Sequence, residues 1–351
     1  MRCFFLISLC LATLTNTAQE KMANRSPFQW QLYAEGYYRF PFRSPEPGRR
    51  LPILYNYSKQ QLPDINLALV RGSFQQGHLT MRGGIMAGSY SRFNLNPEPP
   101  LLRHLYEANV GWQFNSHWAI EAGVFPSHLG LESVIGKDNW NASRSLLAEN
   151  SPYYETGARV NYQPHERLTV SLLLLNGWQH IRDNNNDFAF GSQVQLRPDS
   201  TWLINSSTFI GNEMPDSSRT AIRFFHNFFL TRTIGKHWNI ALLFDIGAQQ
   251  NSIQDGCRWW SGAGMVIQYR PSNQLQAALR VENFDDRKGV LIPTSTPNGF
   301  RVRSLTVNAD YSPGKHWIIR GEYRLFRSKD EIFSNWQRHN AGFMLTIAAW
   351  L

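Results

Sequence analysis

The sequence predicts an all-β protein whose strands close into an antiparallel barrel that crosses a membrane. Three observations predict it. Short connections alternate strictly with long ones, the segments between them carry apolar and polar residues in a period of two, and Trp and Tyr gather where segments meet the short connections. The composition of the 351 residues removes competing classes. Aromatic residues at 13% and hydrophobic residues at 42% exclude a disordered chain. No uninterrupted apolar run approaches the roughly 18 residues that a spanning helix needs. Three cysteines exclude a large disulfide framework.

Residues 1–18 read as a secretory leader. Arg2 supplies the positive start, Cys3 to Leu14 the apolar run, and Asn16-Thr17-Ala18 a small-residue exit. Its removal takes Arg2 with it, lowers the net charge from +9 to +8 and leaves one thiol, Cys257. Residues 19–351 are then expected as a single outer-membrane barrel domain.

The short connections follow in chain order. Gln75-Gln76-Gly77-His78 is the first, and Phe114-Asn115-Ser116-His117-Trp118 the second. Tyr162 to Leu168 passes through Pro164, Leu196 to Trp202 through Pro198-Asp199, and Tyr269 to Leu275 through Pro271. Ile234-Gly235-Lys236-His237-Trp238 and Ser312-Pro313-Gly314-Lys315-His316-Trp317 complete the set. Gly, Pro, Asn, Asp and Ser form tight turns for known dihedral reasons. The long connections fall at about 43–64, 94–104, 127–153, 181–187, 212–220, 251–258, 285–299 and 327–335. Seven turns and eight loops join sixteen strands. Segments near 66–74 and 105–114 alternate poorly, which leaves fourteen or eighteen strands open.

The strands themselves alternate. Trp238, Ile240, Leu242, Phe244 and Ile246 oppose Asn239, Ala241, Leu243, Asp245 and Gly247. Trp317, Ile319, Gly321, Tyr323 and Leu325 oppose Ile318, Arg320, Glu322, Arg324 and Phe326, and the last segment runs Ala341, Phe343, Leu345, Ile347, Ala349. A soluble sandwich would bury such apolar faces and mix its turn lengths at both ends. A transmembrane barrel turns them outward, with short periplasmic turns and long outer loops. Trp118, Trp202, Trp238 and Trp317 open strands after short turns, and Phe114, Tyr162, Tyr269 and Tyr311 close strands before them. That is the interfacial girdle of a membrane barrel.

The stretch Pro126-Ser127-His128-Leu129-Gly130-Leu131-Glu132-Ser133-Val134-Ile135-Gly136-Lys137-Asp138-Asn139-Trp140 and its continuation Arg144 to Arg159 resemble a signature region of the β-barrel porin-2 group of outer-membrane proteins, typical of Bacteroidota. Leu175-Asn176-Gly177-Trp178-Gln179, Phe209-Ile210-Gly211-Asn212, Phe244-Asp245-Ile246-Gly247-Ala248 and Thr296-Pro297-Asn298-Gly299-Phe300 look similar too. The resemblance implies an outer-membrane barrel and a porin. It brings no substrate and no assigned functional residues.

Sixteen to eighteen strands leave a water-filled lumen. Inward positions carry Glu35, Arg39, Arg71, Arg82, Glu107, Glu121, Arg159, Asp245, Arg280, Glu282, Asp310, Arg320, Glu322 and Arg324, which a soluble core could not hold unpaired. Each can also serve structurally by pairing across neighbouring strands. Loop 127–153 is longer than closure requires, and such loops tend to be functional. Asp138 is placed to cap a helix over residues 139–149, whose Trp140, Leu146 and Leu147 need a surface to pack on. Folding into the lumen would satisfy them and bring Lys137, Asp138, Arg144 and Glu149 to a constriction with Glu155, Arg159, Arg320, Glu322 and Arg324 of the wall. Arg144 is expected to face wall charges such as Arg159, Glu155 or Arg320. Rings of charge at a narrow point set selectivity. The competing reading is an outer cap.

Chemistry other than transport finds little support. Ser127, His128 and Asp138 are triad residue types, but adjacent Ser and His point to opposite sides of a strand. No metal-ligand spacing, phosphate loop or dinucleotide fingerprint occurs, so neither cofactor nor enzymatic activity is expected. The basic residues are dispersed and do not form a nucleic-acid stripe. The expected partners are outer-membrane lipid and lipopolysaccharide, with small hydrophilic solutes in transit, and the oligomeric state stays open. The first function is therefore a passive diffusion porin. A non-conducting barrel that docks envelope proteins is the second, and an outer-membrane lipid hydrolase the third.

Overall fold

A computed structural model describes residues 26–42, 47–251, 256–333 and 337–351. The leader expected at 1–18 lies outside the described residues. Sixteen strands run in chain order. They are β1 (Phe28–Pro41), β2 (Asp64–Gln76), β3 (Leu79–Ala87), β4 (Leu105–Gln113), β5 (Trp118–Pro126), β6 (Tyr154–His165), β7 (Leu168–Leu175) and β8 (Ala189–Leu196). Then follow β9 (Trp202–Asn212), β10 (Ile222–Ile234), β11 (Trp238–Gln250), β12 (Cys257–Tyr269), β13 (Leu275–Asp286), β14 (Phe300–Gly314), β15 (Trp317–Ser328) and β16 (His339–Trp350). Each pairs antiparallel with its sequence neighbours, and β1 closes on β16 with Tyr33 opposite Trp350. The sheet is one closed barrel, as the alternation of connections requires.

The two faces of the wall are chemically inverted relative to a soluble protein. Outward Leu172, Phe190, Ile246, Val281, Ile319 and Leu345 are exposed, while inward Glu35, Glu107, Asp245, Arg280, Asp310, Arg320, Glu322 and Arg324 are buried. At the short-turn end Trp118 stacks on Tyr162 with ring centroids 4.3 Å apart, and Trp238 meets Tyr269 at 4.5 Å. Register brings both pairs together, because each is a direct cross-strand pair.

Gly123 and Gly157 face each other across β5 and β6, with φ of +125° and +154°. A Cβ at either would run into the carbonyl oxygen of Ala108 or Leu174 in the next strand. Only glycine fits that approach, and the pair sits three residues below the points where loop 127–153 leaves and rejoins the wall.

The third connection begins earlier than the predicted 94, because Ser89–Asn94 forms a short helix that buries Tyr90 beneath the loops. The apolar core lies inside the barrel, toward the long-loop end. Phe209, Phe225, Trp260, Phe284, Phe300 and Phe326 of the wall pack against Leu129, Leu146 and Leu147 of loop 127–153. The residues that needed a surface found it in the lumen.

Candidate functional site

Three wall arginines hold loop 127–153 by its backbone. Alternation in β13 and β15 aims Arg280, Arg320 and Arg324 inward. Arg320 donates to the carbonyls of Gly136 (2.7 Å), Asn139 (2.9 Å) and Trp140 (3.1 Å), and is itself fixed by Asp310 at 2.8 Å. Arg280 donates to the carbonyls of Ser143 (2.7 Å) and Arg144 (3.1 Å), and Arg324 to that of Arg144 (2.8 Å). The wall also accepts. Leu146 N–H donates to Glu282 at 2.6 Å and Ser143 N–H to Glu322 at 2.8 Å. Planar guanidinium groups suit this task, since one side chain serves several carbonyls in fixed geometry.

The base of the loop is fixed to the opposite wall. His128 meets Glu155 at 2.9 Å and the Thr208 carbonyl at 2.8 Å, and its own carbonyl accepts from Gln193 (2.7 Å) and Ser207 (3.0 Å). Burial pulls the imidazole toward its neutral form, but Glu155 and the Thr208 carbonyl outweigh it and hold the pKa above the ordinary value. Gly130 N–H reaches Asn227 of β10 at 3.1 Å. The loop thus crosses the barrel from β8, β9 and β10 to β13, β14 and β15.

The first loop, at 47–63, joins it. Glu149 accepts from Tyr55 N–H at 2.6 Å and from the Asn56 side chain at 3.3 Å, and burial holds its carboxyl above the usual range. Tyr57 donates to Glu35 at 2.8 Å.

The residues expected at a constriction divide into two groups. Glu149, Glu155, Arg320, Glu322 and Arg324 are buried in the anchoring network. Lys137 and Asp138 pair at 2.6 Å on the more open side of the loop, and Arg159 pairs with Glu121 on the wall. Arg144 differs from expectation. Its guanidinium lies 3.7 Å from the Tyr153 ring centroid and donates to the Ala148 carbonyl of its own loop, away from Arg159, Glu155 and Arg320. The predicted helix over 139–149 is also corrected. Gly136–Asp138 is a 3-10 turn, and one α-turn, Leu146–Glu149, is capped by Ser145. The carbonyls that a longer helix would use are taken by Arg280, Arg320 and Arg324, so tertiary hydrogen bonds displace local ones.

Two spaces border loop 127–153. A vestibule of about 740 Å³ opens toward the long-loop end, lined by Arg50, Arg92, Arg223, Tyr55, Glu149 and Ser151, among others. A smaller cavity of about 210 Å³ lies between the loop and β3 and β4, bounded by Tyr90, Tyr106, Ser127, Glu132, Arg144 and Tyr153. Below it Tyr106 adjoins Glu107, which begins a polar strip of Arg71, Arg82, Glu121 and Arg159. Arg71 meets Glu107 at 3.7 Å, and Arg82 meets Glu121 at 3.0 Å. Among the described residues no three or more His, Cys, Asp or Glu gather as a metal site.

Sequence reading missed the tyrosines around this cavity and the part played by Arg280 and Glu282. Inward parity marked Arg280 and Glu282 as lumenal, but no local signal says which lumenal charges a loop will cover.

A sixteen-stranded barrel with apolar outside, charged inside and a loop seated in the lumen belongs to the class of outer-membrane porins and channels. The sequence matches the family model described as "Putative beta-barrel porin-2, OmpL-like" over residues 27–351, and the chain belongs to that family. No curated protein matches the sequence. Among solved structures, the outer membrane channel DcaP of Acinetobacter baumannii aligns with a TM-score of 0.62 at 9% identity, covering 92% of this chain and 97% of that one. An anion-selective porin from Comamonas acidovorans gives 0.59 at 8%, covering 92% and 99%. The trimer form of OmpT from Vibrio cholerae gives 0.56 at 9%, with the same coverage. At these identities the likeness is one of fold.

Proposed function

We propose that this porin passes small hydrophilic solutes by diffusion through a lumen narrowed by loop 127–153. The observation that carries the reading is the loop's position. It is bound to β13–β15 and to β8–β10, while the strip on β2–β6 keeps accessible charge. Solute would enter the vestibule, pass Arg144 and Tyr153, and leave along Arg71, Arg82 and Arg159. Charges more than about 8 Å from an ion are largely screened at physiological salt, so selectivity belongs to the narrow point. From the vestibule to this point Arg50, Arg92, Arg144 and Arg223 stand against Glu132, Glu149 and Glu213, an excess of one positive charge that favours anions modestly.

Single-channel recording in planar bilayers tests this. The parent conducts, deletion of residues 137–149 raises conductance and weakens ion selectivity, and Arg144→Glu moves the reversal potential toward cations. Unchanged conductance on deletion would make the loop a cap. Absence of current in both proteins would favour the docking barrel.

The orientation follows the short-inside, long-outside rule. A membrane-impermeant thiol reagent on intact cells should label a cysteine at Asn298 and spare one at Lys315. The reverse labelling would invert the assignment.

A further inference from the structure

The outer surface of the wall is apolar along most of its circumference, but four neighbouring strands break the pattern at one height. Asn283 of β13 lies opposite Arg303 of β14, Arg303 opposite Arg327 of β15, and Arg327 opposite His339 of β16. All four are exposed and occupy outward positions, because the residues on either side of Arg303 and Arg327 are the buried, lumen-facing ones. At comparable distances from the short-turn girdle, β8, β10 and β12 present Phe190, Phe224 and Trp259 to the outside, all exposed.

The height of the row follows from strand geometry. Arg327 is ten residues beyond Trp317 in β15. At about 3.3 Å per residue and a tilt of about 40°, it stands roughly 25 Å above that girdle. An outward apolar band is about 25 Å tall. The row therefore lies at the outer edge of the band, where lipid headgroups sit.

Two like charges facing each other across a strand pair are unfavourable without a counter-ion. Among the described residues neither Arg303 nor Arg327 forms an ion pair with a carboxylate. Nearby Asp285 is already held by Arg287 and Arg301, each at 3.0 Å, and Glu331 by Arg338 at 3.8 Å. Directly beneath the arginines the wall has a depression of about 600 Å³, whose lining includes Phe244, Met265, Val281, Leu305 and Leu325 around Ala263 and Gly264. A cationic rim above an apolar hollow fits one kind of molecule.

We propose that Arg303 and Arg327, flanked by Asn283 and His339, bind a phosphate group of a membrane glycolipid whose acyl chain occupies the hollow below. Guanidinium groups hold phosphate through paired, charge-assisted hydrogen bonds. The site lies outside the lumen, so it stands whether or not the channel conducts.

The test is native mass spectrometry of the full barrel in micelles, titrated with a bis-phosphorylated, acylated disaccharide lipid. Its dephosphorylated analogue and inorganic phosphate serve as separate probes. The parent should bind the phosphorylated lipid at least about tenfold more tightly than either, the scale of one lost charge-assisted contact. Arg303→Gln with Arg327→Gln should remove that preference. Arg232→Gln, an outward position near the other end of β10, should keep it. The paired Lys variants should retain part of it, which separates loss of binding from loss of folding. Equal binding of the phosphorylated lipid by the parent and the Gln pair would overturn the site. So would equal binding of phosphorylated and dephosphorylated lipid by the parent. Binding of inorganic phosphate as tight as that of the lipid would reduce it to a free-anion site and overturn the acyl contact.

Discussion

The lumen wall has two sectors built from the same residue types in the same inward positions, and they do different work. On β13–β15 the side chains of Arg280, Arg320 and Arg324 are 0%, 0% and 2% exposed, and their donors are spent on loop carbonyls and acidic partners. On β2–β6 the side chains of Arg71, Arg82 and Arg159 are 34%, 44% and 20% exposed, and their acidic partners are Glu107 and Glu121 of the wall. Arginine in a barrel lumen is thus not one kind of residue. Covered by a loop it is a fastener, and uncovered it is a charge open to the lumen.

Breaking a fastener should have the largest effect. Arg320→Ala leaves Asp310 buried without its partner and releases the carbonyls of Gly136, Asn139 and Trp140. Removing one member of a buried ion pair costs about 3–5 kcal/mol. The expected outcome is a barrel that still folds, with loop 127–153 newly open to protease and a higher, noisier conductance. Arg82→Gln, by contrast, breaks a partly exposed pair worth less than about 1 kcal/mol. It should leave protease resistance unchanged while shifting the reversal potential.

A smaller effect should come from pH at the vestibule rim. Glu213 accepts from Trp178 N–H at 3.0 Å and lies 3.7 Å from Arg223. Burial pushes its pKa up to about 7 from 4.5, with Arg223 and the Trp178 N–H pulling the other way. A carboxyl raised in the folded state stabilises most when protonated. Its contribution is complete below about 4.5 and is lost as pH rises through about 7. His180, whose pKa burial lowers, works in the opposite sense and weakens the rim as pH falls below its unfolded value of 6.5. Between pH 8 and 6.5 the Glu213 contribution dominates. Amides of residues 176–181 should exchange more slowly at pH 6.5 than at pH 8 once intrinsic rates are removed. Glu213→Gln should flatten that difference.

Much of the architecture was legible because its cause is local. Side-chain parity, turn residues such as Pro164, Gly235 and Pro313, and the girdle of Trp118, Trp238 and Trp317 each report strand ends without reference to distant residues. Even the weakly alternating β2 and β4 fall where the connections demanded. The seat of the loop was legible in outline, since Trp140, Leu146 and Leu147 had to pack somewhere. Its details were not. Asp138 looked like a helix cap because local capping rules cannot register that Arg320, far along the chain, will claim the carbonyls of Gly136 and Asn139. For the same reason the seat of Arg144 on the Tyr153 ring was not legible.

The two-sector account is tested most directly by thiol accessibility during conduction. In a Cys257→Ser background, Arg82→Cys and Arg324→Cys are each exposed to a charged, water-soluble thiol reagent while single-channel current is recorded. The prediction is that the cysteine at 82 reacts and the current falls, whereas the cysteine at 324 stays unreactive beneath the loop. Equal reaction at both positions, or reaction at 324 alone, would contradict it.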